Sequence, residues 1–408
     1  MRDATDQPAR LIRLAILDDN PFVRLPSGEI RPRAATFHRF AEAVVAAGPF
    51  AAAAYLIPVA DGDGALSPGL PPVDPSRLRI VATAPFDGIA GYLRRWPSLV
   101  RHNWPLVRSA VVEADLVWIK APASNGPLAA VAARRRRIPY FTWVAGSAHA
   151  VVRGQRRGMF TRPVAIGVAT AYDAVAGILA RTGPAVHLDD QLFTSLVTAD
   201  EVATTRRRLE EHPGRGDSSE VRLVWAGRMV ADKGIDDLLR AIRILRDRDV
   251  AASVILIGDG PEREALTMDA TQLGVAKWVD WAGYLSDRAV YLEGLRGADL
   301  FVLPSRAEGV PKVVVDAMAA GLPVIATRVG NLPRILDHGR LGRLVDPDDP
   351  GGLAAAVESL AADHTERERL SELGLEFAAR HTIEDQARRL VDWLRASFPR
   401  LPWPEVAT

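Results

Sequence analysis

Twice along its 408 residues the chain places short apolar runs between longer amphipathic stretches. The first series contains Arg13–Leu17, Leu78–Thr83, Leu116–Ile119 and Tyr140–Val144. After a polar segment, Glu210–Glu220, a second series opens at Val221–Trp225 and continues through Ser253–Ile257, Val279–Trp281, Leu300–Leu303, Pro323–Ala326 and Gly342–Val345. Strands alternating with helices of roughly 10–15 residues predict parallel sheets covered on both faces, here an α/β protein of two Rossmann-like domains. In such sheets ligands bind beyond the carboxyl ends of the strands, so the loops that follow them are where chemistry is sought.

The composition supports a folded chain: 48% of residues are hydrophobic and 25% charged, ordinary for globular domains. With no Cys, disulfides, thiolate-ligated metal and thiol nucleophiles are excluded. Arg2, Asp3, Asp6 and Arg10 interrupt any apolar core at the N-terminus, which predicts no secretory signal and a cytoplasmic protein. The uncharged run from Ala43 to Ala60 is divided by Gly48-Pro49. It predicts a helix over 37–47, a turn and a buried strand over 51–57 closed by Pro58, not a membrane span.

In the second series, Gly227-Arg228 and Lys233-Gly234 lie between a strand and an amphipathic helix over 235–246. Two cations at a strand-to-helix loop suit phosphate oxygens, although surface loops are often basic without function. Gly258-Asp259-Gly260-Pro261 lacks the third glycine of a dinucleotide fingerprint, since Arg263 stands there; it reads either as a turn lining a nucleotide site or as a purely structural turn. Further on, Leu300–Pro304 leads into a loop with Glu308 and Gly309, then a helix beginning near Pro311 that carries Asp316. Glycine beside a helix start makes room for an anion, and carboxylates accept hydrogen bonds from vicinal hydroxyls, so sugar and phosphate recognition is the joint reading. Taken singly, Glu308 capping a loop and Asp316 pairing with a surface Arg would explain the same residues.

These motifs occur in the order found in the family 4 glycosyltransferases, and residues 221–380 resemble that family: Gly-Arg-x4-Lys-Gly at 227–234, Gly-Asp-Gly-Pro at 258–261, Ala-Asp-Leu-Phe-Val-Leu-Pro-Ser at 298–305, and Glu-x7-Asp at 308–316. The resemblance implies a GT-B fold and a retaining, metal-independent transferase with no cofactor, the nucleotide-sugar serving as co-substrate. It implies that Arg228 and Lys233 stabilise the leaving diphosphate and that Glu308 positions the sugar. Gly227, Gly260, Gly309, Val310, Lys312 and Val313 would approach the donor, with Tyr284 beside the base and Asp316 on the ribose. Two departures stand out: Asp316 is one methylene shorter than the family's Glu, and the strand over 140–144 runs into Ala145-Gly146, where many members carry a His.

On the acceptor side the resemblance transfers to Ser27 and Gly28, in the loop expected after the first strand, and to Gly146, with His149 as a substitute for the missing His. From Gly88 to Ala165 there are 13 basic residues against two acidic, a charge of +11 while the remainder sums to −10. Arg94, Arg101 and Arg108 recur every seven residues, with Leu93, Trp96, Val100, Trp104 and Val107 on another face. A basic, Trp-bearing helix suits peripheral contact with an anionic membrane; its apolar face equally suits packing on its own sheet, and Pro97 and Pro105 would kink it. The run Arg134–Arg137 reads as a helix end. No nucleic-acid recognition motif is visible.

The organisation predicted is an acceptor domain over 1–195, a linker over 196–220, a donor domain over 221–380 and a C-terminal helix over 381–408 crossing back to the first domain. The function expected is transfer of a sugar from a nucleoside-diphosphate sugar to a hydroxyl of a glycan, lipid-linked or small-molecule acceptor, a phosphorylated acceptor included. The alternatives are a sugar-nucleotide epimerase or phosphorylase, and a nucleotide-binding partner subunit without turnover.

Overall fold

The computed structural model describes residues 10–33, 36–62, 70–86, 88–121, 123–144, 162–187, 192–211, 220–309 and 311–404. It divides into two compact units. One comprises 1–146, 167–188 and 384–408, the other 147–166 and 189–383.

The first unit contains β1 (Leu14–Leu17), β2 (Phe22–Arg24), β3 (Ile30–Pro32), α1 (Phe37–Ala47), β4 (Ala53–Asp61), β5 (Leu78–Thr83), α2 (Gly88–Glu113), β6 (Leu116–Ala121), α3 (Gly126–Arg136), β7 (Tyr140–Val144), α4 (Arg162–Arg181) from residue 167 onward, and β8 (Ala185–His187). The order is β3-β2-β4-β1-β6-β7-β8 with β5 also on β4, parallel except between β2 and β3. The chain leaves β1 toward β4 and β5, then returns to β6 on its other side, so β1/β6 is the point where strand order reverses. One face buries Leu17, Leu56, Val117 and Ile119 beneath α2 and α3. Aromatics pack together on the opposite face, Trp118 lying 5.4 Å from Phe37 and 5.6 Å from Trp143. The C-terminal helix, Ile383–Ser397, contributes Trp393, whose ring is 5.7 Å from Phe141.

Two local expectations change. The stretch after β1 is not one loop, because β2 and β3 form a hairpin over 22–32. β4 runs through Pro58 to Asp61, Pro58 lying opposite Thr83 of β5. Helix α2 is unbroken through Pro97 and Pro105, both exposed, so the carbonyls they deprive of a partner stay within reach of water. Val107, Ala110 and Val111 of α2 join the core with Trp104 against it, while Trp96 is 54% exposed. Arg94, Arg95, Arg101 and Arg108 are exposed as well; the Leu93 side chain lies outside the described residues. Arg134–Arg136 do end α3, and Arg137 caps it in a left-handed conformation.

The second unit contains α5 (Ala199–Glu211), β9 (Val221–Ala226), α6 (Ile235–Asp247), β10 (Ala252–Ile257), α7 (Arg263–Gln272), β11 (Val279–Gly283), α8 (Arg288–Arg296), β12 (Leu300–Leu303), α9 (Lys312–Ala319), β13 (Val324–Thr327) and β14 (Arg343–Val345), followed by helices over 350–362 and 364–379. Helix α5 falls within 196–220, the stretch read as a linker, and bonds into this unit through Thr205, which accepts from Arg296 at 2.9 Å. The sheet is parallel, in the order β11-β10-β9-β12-β13-β14. Burial on both faces explains why β12 and β13 read as continuous apolar runs. Strand order reverses between β9 and β12.

No helix among the described residues is long and apolar enough to cross a membrane.

Candidate active site

The loops after β9 and β12 flank the reversal point of the second sheet, where open α/β sheets bind ligands. After β9, a 3₁₀ turn over Ala231–Lys233 ends at Gly234, whose φ is 65°. A Cβ at Gly234 would lie 1.9 Å from the Pro304 carbonyl oxygen. Only glycine lets this turn approach the loop after β12 so closely. Across that contact Lys233 Nζ meets Glu308 Oε1 at 2.6 Å, and Ser305 Oγ donates to the same oxygen at 2.7 Å. The Glu308 side chain is 7% exposed, so the pair is poorly screened by water. Arg228 is exposed on the β9 loop, and no ion pair holds its guanidinium among the described residues.

Gly258 and Gly260 press against this loop from β10. Added Cβ atoms there would lie 1.8 Å from the Gly227 carbonyl oxygen and 2.3 Å from that of Met229. The turn therefore buttresses the Gly227–Lys233 loop, which favours its structural reading. Tyr284, after β11, is 49% exposed. Gly309 is exposed with open space where a Cβ would project, and Lys312 and Val313 are half-buried at the start of α9. Val310, Gly146 and His149 lie outside the described residues. In the first unit, Ser27 and Gly28 sit at the exposed tip of the β2–β3 hairpin, where the Gly28 N–H donates to the Leu25 carbonyl and the Glu29 N–H to Ser27 Oγ.

Asp316 is buried. Its Oδ1 accepts from Arg288 Nη2 at 2.8 Å and its Oδ2 from the Tyr291 hydroxyl at 3.3 Å. Arg288 also grips Glu201 through two bonds, at 2.9 and 3.0 Å. Burial opposes the Arg288 charge, but Asp316 and Glu201 outweigh it and hold the guanidinium above its ordinary pKa. Burial foremost, then Asp316, raises the Tyr291 hydroxyl well above its usual range, which keeps it a donor. Both Asp316 oxygens are thus already engaged, the cation being what a buried carboxylate needs. Sequence reasoning missed Arg288, Tyr291 and Glu201. They stand 28, 25 and 115 residues from Asp316, beyond any motif spacing. Ser305 lay inside a quoted motif without a role.

Among the described residues no group of three or more His, Cys, Asp or Glu is placed to hold a metal ion. What the arrangement offers is an ammonium held by a carboxylate, an open guanidinium nearby in sequence, and glycine-lined backbone: the requirements of diphosphate and sugar recognition.

Comparison with known proteins agrees. Residues 220–363 match the family model described as glycosyl transferases group 1. A GDP-mannose-dependent alpha-(1-6)-phosphatidylinositol monomannoside mannosyltransferase of Mycobacterium tuberculosis is 30% identical over 337 residues, covering 75% of this chain and 84% of the relative. Among solved structures, sucrose-phosphate synthase from Thermosynechococcus elongatus aligns with a TM-score of 0.65 at 19% identity, covering 96% of this chain and 100% of that one. Anabaena Alr3699/HepE in complex with UDP-glucose aligns with a TM-score of 0.62 at 18% identity, covering 94% and 100%. Those two likenesses concern the fold, which is GT-B. With the motifs, the sheet topology and the mycobacterial relative in agreement, the chain belongs to the group 1 glycosyltransferases, enzymes that move a sugar from a nucleotide-sugar donor.

Proposed function

We propose that the chain is a retaining hexosyltransferase that needs no metal ion, with its donor site at the carboxyl edge of the second sheet. The observation that carries the reading is the Lys233–Glu308 contact across the reversal point. In this reaction an acceptor hydroxyl oxygen bonds to the anomeric carbon as that carbon's bond to the diphosphate oxygen breaks, the electron pair of the broken bond passing to the phosphate and the acceptor's proton to the departing diphosphate. Arg228 and Lys233 are the cations that meet the charge as it develops, the work done by divalent ions in other transferases. Glu308, held by Lys233 and Ser305, positions sugar hydroxyls; Tyr284 stands beside the base. Asp316 acts with Arg288 on the ribose side, the guanidinium supplying reach that the shorter carboxylate lacks.

The donor is testable by thermal shift against GDP, UDP, ADP and dTDP and their sugars. GDP-mannose heads the panel because the mycobacterial relative is named for it. A nucleotide at 100 times its Kd should stabilise the protein by about 2.7 kcal/mol. No shift with any nucleotide would remove the donor assignment.

The acceptor proposed is lipid-linked, reached at the inner face of a membrane by the exposed Arg94, Arg95, Trp96, Arg101 and Arg108 of α2. Basic residues near an anionic surface contribute about 1 kcal/mol each. Replacing Arg94, Arg95 and Arg101 by Ser should therefore weaken sedimentation with anionic vesicles by roughly 10²-fold. Equal binding to purely zwitterionic vesicles would count against this docking.

A further inference from the structure

In the second unit, the starts of α5 and α8 meet α9 in a cluster whose cation is only partly engaged. Arg288, the first residue of α8, donates from Nε to Glu201 Oε1 at 2.9 Å. Its Nη2 donates to Glu201 Oε2 at 3.0 Å and to Asp316 Oδ1 at 2.8 Å. Glu201 is itself fixed in the first turn of α5, where the Thr198 N–H donates to its Oε2 at 3.0 Å and its own N–H donates to the Thr198 hydroxyl at 3.2 Å. The Tyr291 hydroxyl occupies Asp316 Oδ2 at 3.3 Å, and the Arg288 guanidinium lies 5.5 Å from the Tyr291 ring. Arg288 Nη1 has no partner among the described residues. The Arg288 side chain is 23% exposed against 6% for Asp316. A solute reaching this cluster therefore meets an N–H donor before it meets a carboxylate.

We propose that the donor site holds the pentose of its nucleotide by donation from Arg288 Nη1 to the 3′ oxygen, so that ribonucleoside and 2′-deoxyribonucleoside diphosphates are bound alike. The proposal deepens the donor reading above and rests on it for the place of the pentose beside Asp316. To hold both hydroxyls of a ribose, a carboxylate must turn two oxygens toward the ligand. Asp316 turns one to Arg288 and the other to Tyr291, and it is buried. A ligand lacking one hydroxyl is rejected, by roughly 10⁴-fold in the strongest cases, when its absence leaves buried polar groups of the site unpaired. Absence of the 2′ hydroxyl leaves none unpaired here, since Asp316 keeps its partners with either pentose. The 3′ oxygen is common to both, and one guanidinium N–H serves it.

Arg288 is then the residue that touches the pentose, and Asp316 and Glu201 are positioning residues. Their bonds fix Nε and Nη2; because a guanidinium is planar and rigid, they also set the direction in which Nη1 donates. Removing Asp316 should therefore weaken ribonucleotide and deoxyribonucleotide together, with their ratio unchanged, because it reads neither pentose directly. A carboxylate in contact with the ribose diol would behave differently: its loss would weaken the ribonucleotide alone.

The test is calorimetric titration of the full chain with GDP, 2′-deoxy-GDP, UDP and 2′-deoxy-UDP, followed by the 2′,3′-dideoxy form of the base that binds. The expected result is a deoxynucleotide Kd within about threefold of the ribonucleotide's, and a dideoxynucleotide bound about tenfold more weakly or worse, the cost of one hydrogen bond to a charged group. In Arg288→Met the deoxy and dideoxy forms should bind equally. In Asp316→Asn the ratio of ribo to deoxy affinities should stay as in the wild type while both affinities fall. The two wild-type ratios decide the matter without the variants. A ribonucleotide preferred by more than about threefold, or a dideoxynucleotide bound as tightly as the deoxynucleotide, would overturn the proposal. Absence of binding by all four nucleotides is a separate outcome, which would remove the donor reading itself and this proposal with it.

Discussion

Replacing Lys233 by Ala should lower kcat by about 10²–10³-fold, the cost of removing one preorganised group that stabilises developing charge. Lys233 Nζ is already held 2.6 Å from Glu308, so no reorganisation is needed when the diphosphate leaves. An exposed lysine would spend rotamer entropy to reach the same position. The substitution also leaves Glu308, 7% exposed, with Ser305 alone, so a thermal melt of the same variant must accompany the kinetics. Lys233→Arg keeps the charge with a different shape and should retain part of the rate. Glu308→Gln leaves Lys233 in place but unsteered, and should act on both kcat and the donor KM. Steady-state rates at saturating donor decide the matter; a Lys233→Ala kcat within about threefold of wild type, below half the smallest expected free-energy loss, would end Lys233's assignment to charge stabilisation.

Replacing Arg306 by Leu should cost about 3–5 kcal/mol of folding free energy, the range for removing one partner of a buried ion pair. The Arg306 side chain is 7% exposed. It bonds Asp236 at 2.7 Å, Asp348 at 2.6 Å, Asp237 and the Ala231 carbonyl. Those partners tie the loop after β12 to the 3₁₀ turn carrying Lys233 and to the start of α6. Burial opposes the Arg306 charge, yet Asp236 and Asp348 raise its pKa, so the guanidinium stays charged at every working pH. Asp237 is 5% exposed, and without Arg306 its carboxylate would lack its most buried cation. The double variant Arg306→Leu/Asp237→Asn should recover part of the loss, because it removes the stranded charge as well as its partner. Urea unfolding measures both; a midpoint unchanged in Arg306→Leu would show that these bonds contribute little.

The loops that Lys233 and Arg306 join were legible in the sequence, and the joints were not. β5, β7 and β12 occupy the residues their apolar runs marked, 78–83, 140–144 and 300–303; β7 and β12 do so because a strand buried on both faces leaves an uninterrupted signature. The hairpin of β2 and β3 left none: each strand has three residues, too few to display a period, and Pro32 argues against pairing. Lys233 and Glu308 were found because each sits inside a compact motif. Arg288, Glu201 and the Asp18–Lys120 pair were not, since their partners are distant along the chain and surface arginines outnumber bridging ones. Asp316 was placed on the ribose only by the resemblance of its motif to the family's, and the structure adds its bond to Arg288.

Local periodicity, glycines and turn residues therefore determined the order of strands and helices and the loops that carry charge, because those properties depend on neighbours a few residues away. Which charges meet was decided by sheet order. β9 lies beside β12 and β1 beside β6, so residues 75 and 102 positions apart come within hydrogen-bonding distance. That order depends on how all the apolar faces are buried at once, a property of the whole chain that no short window of residues contains.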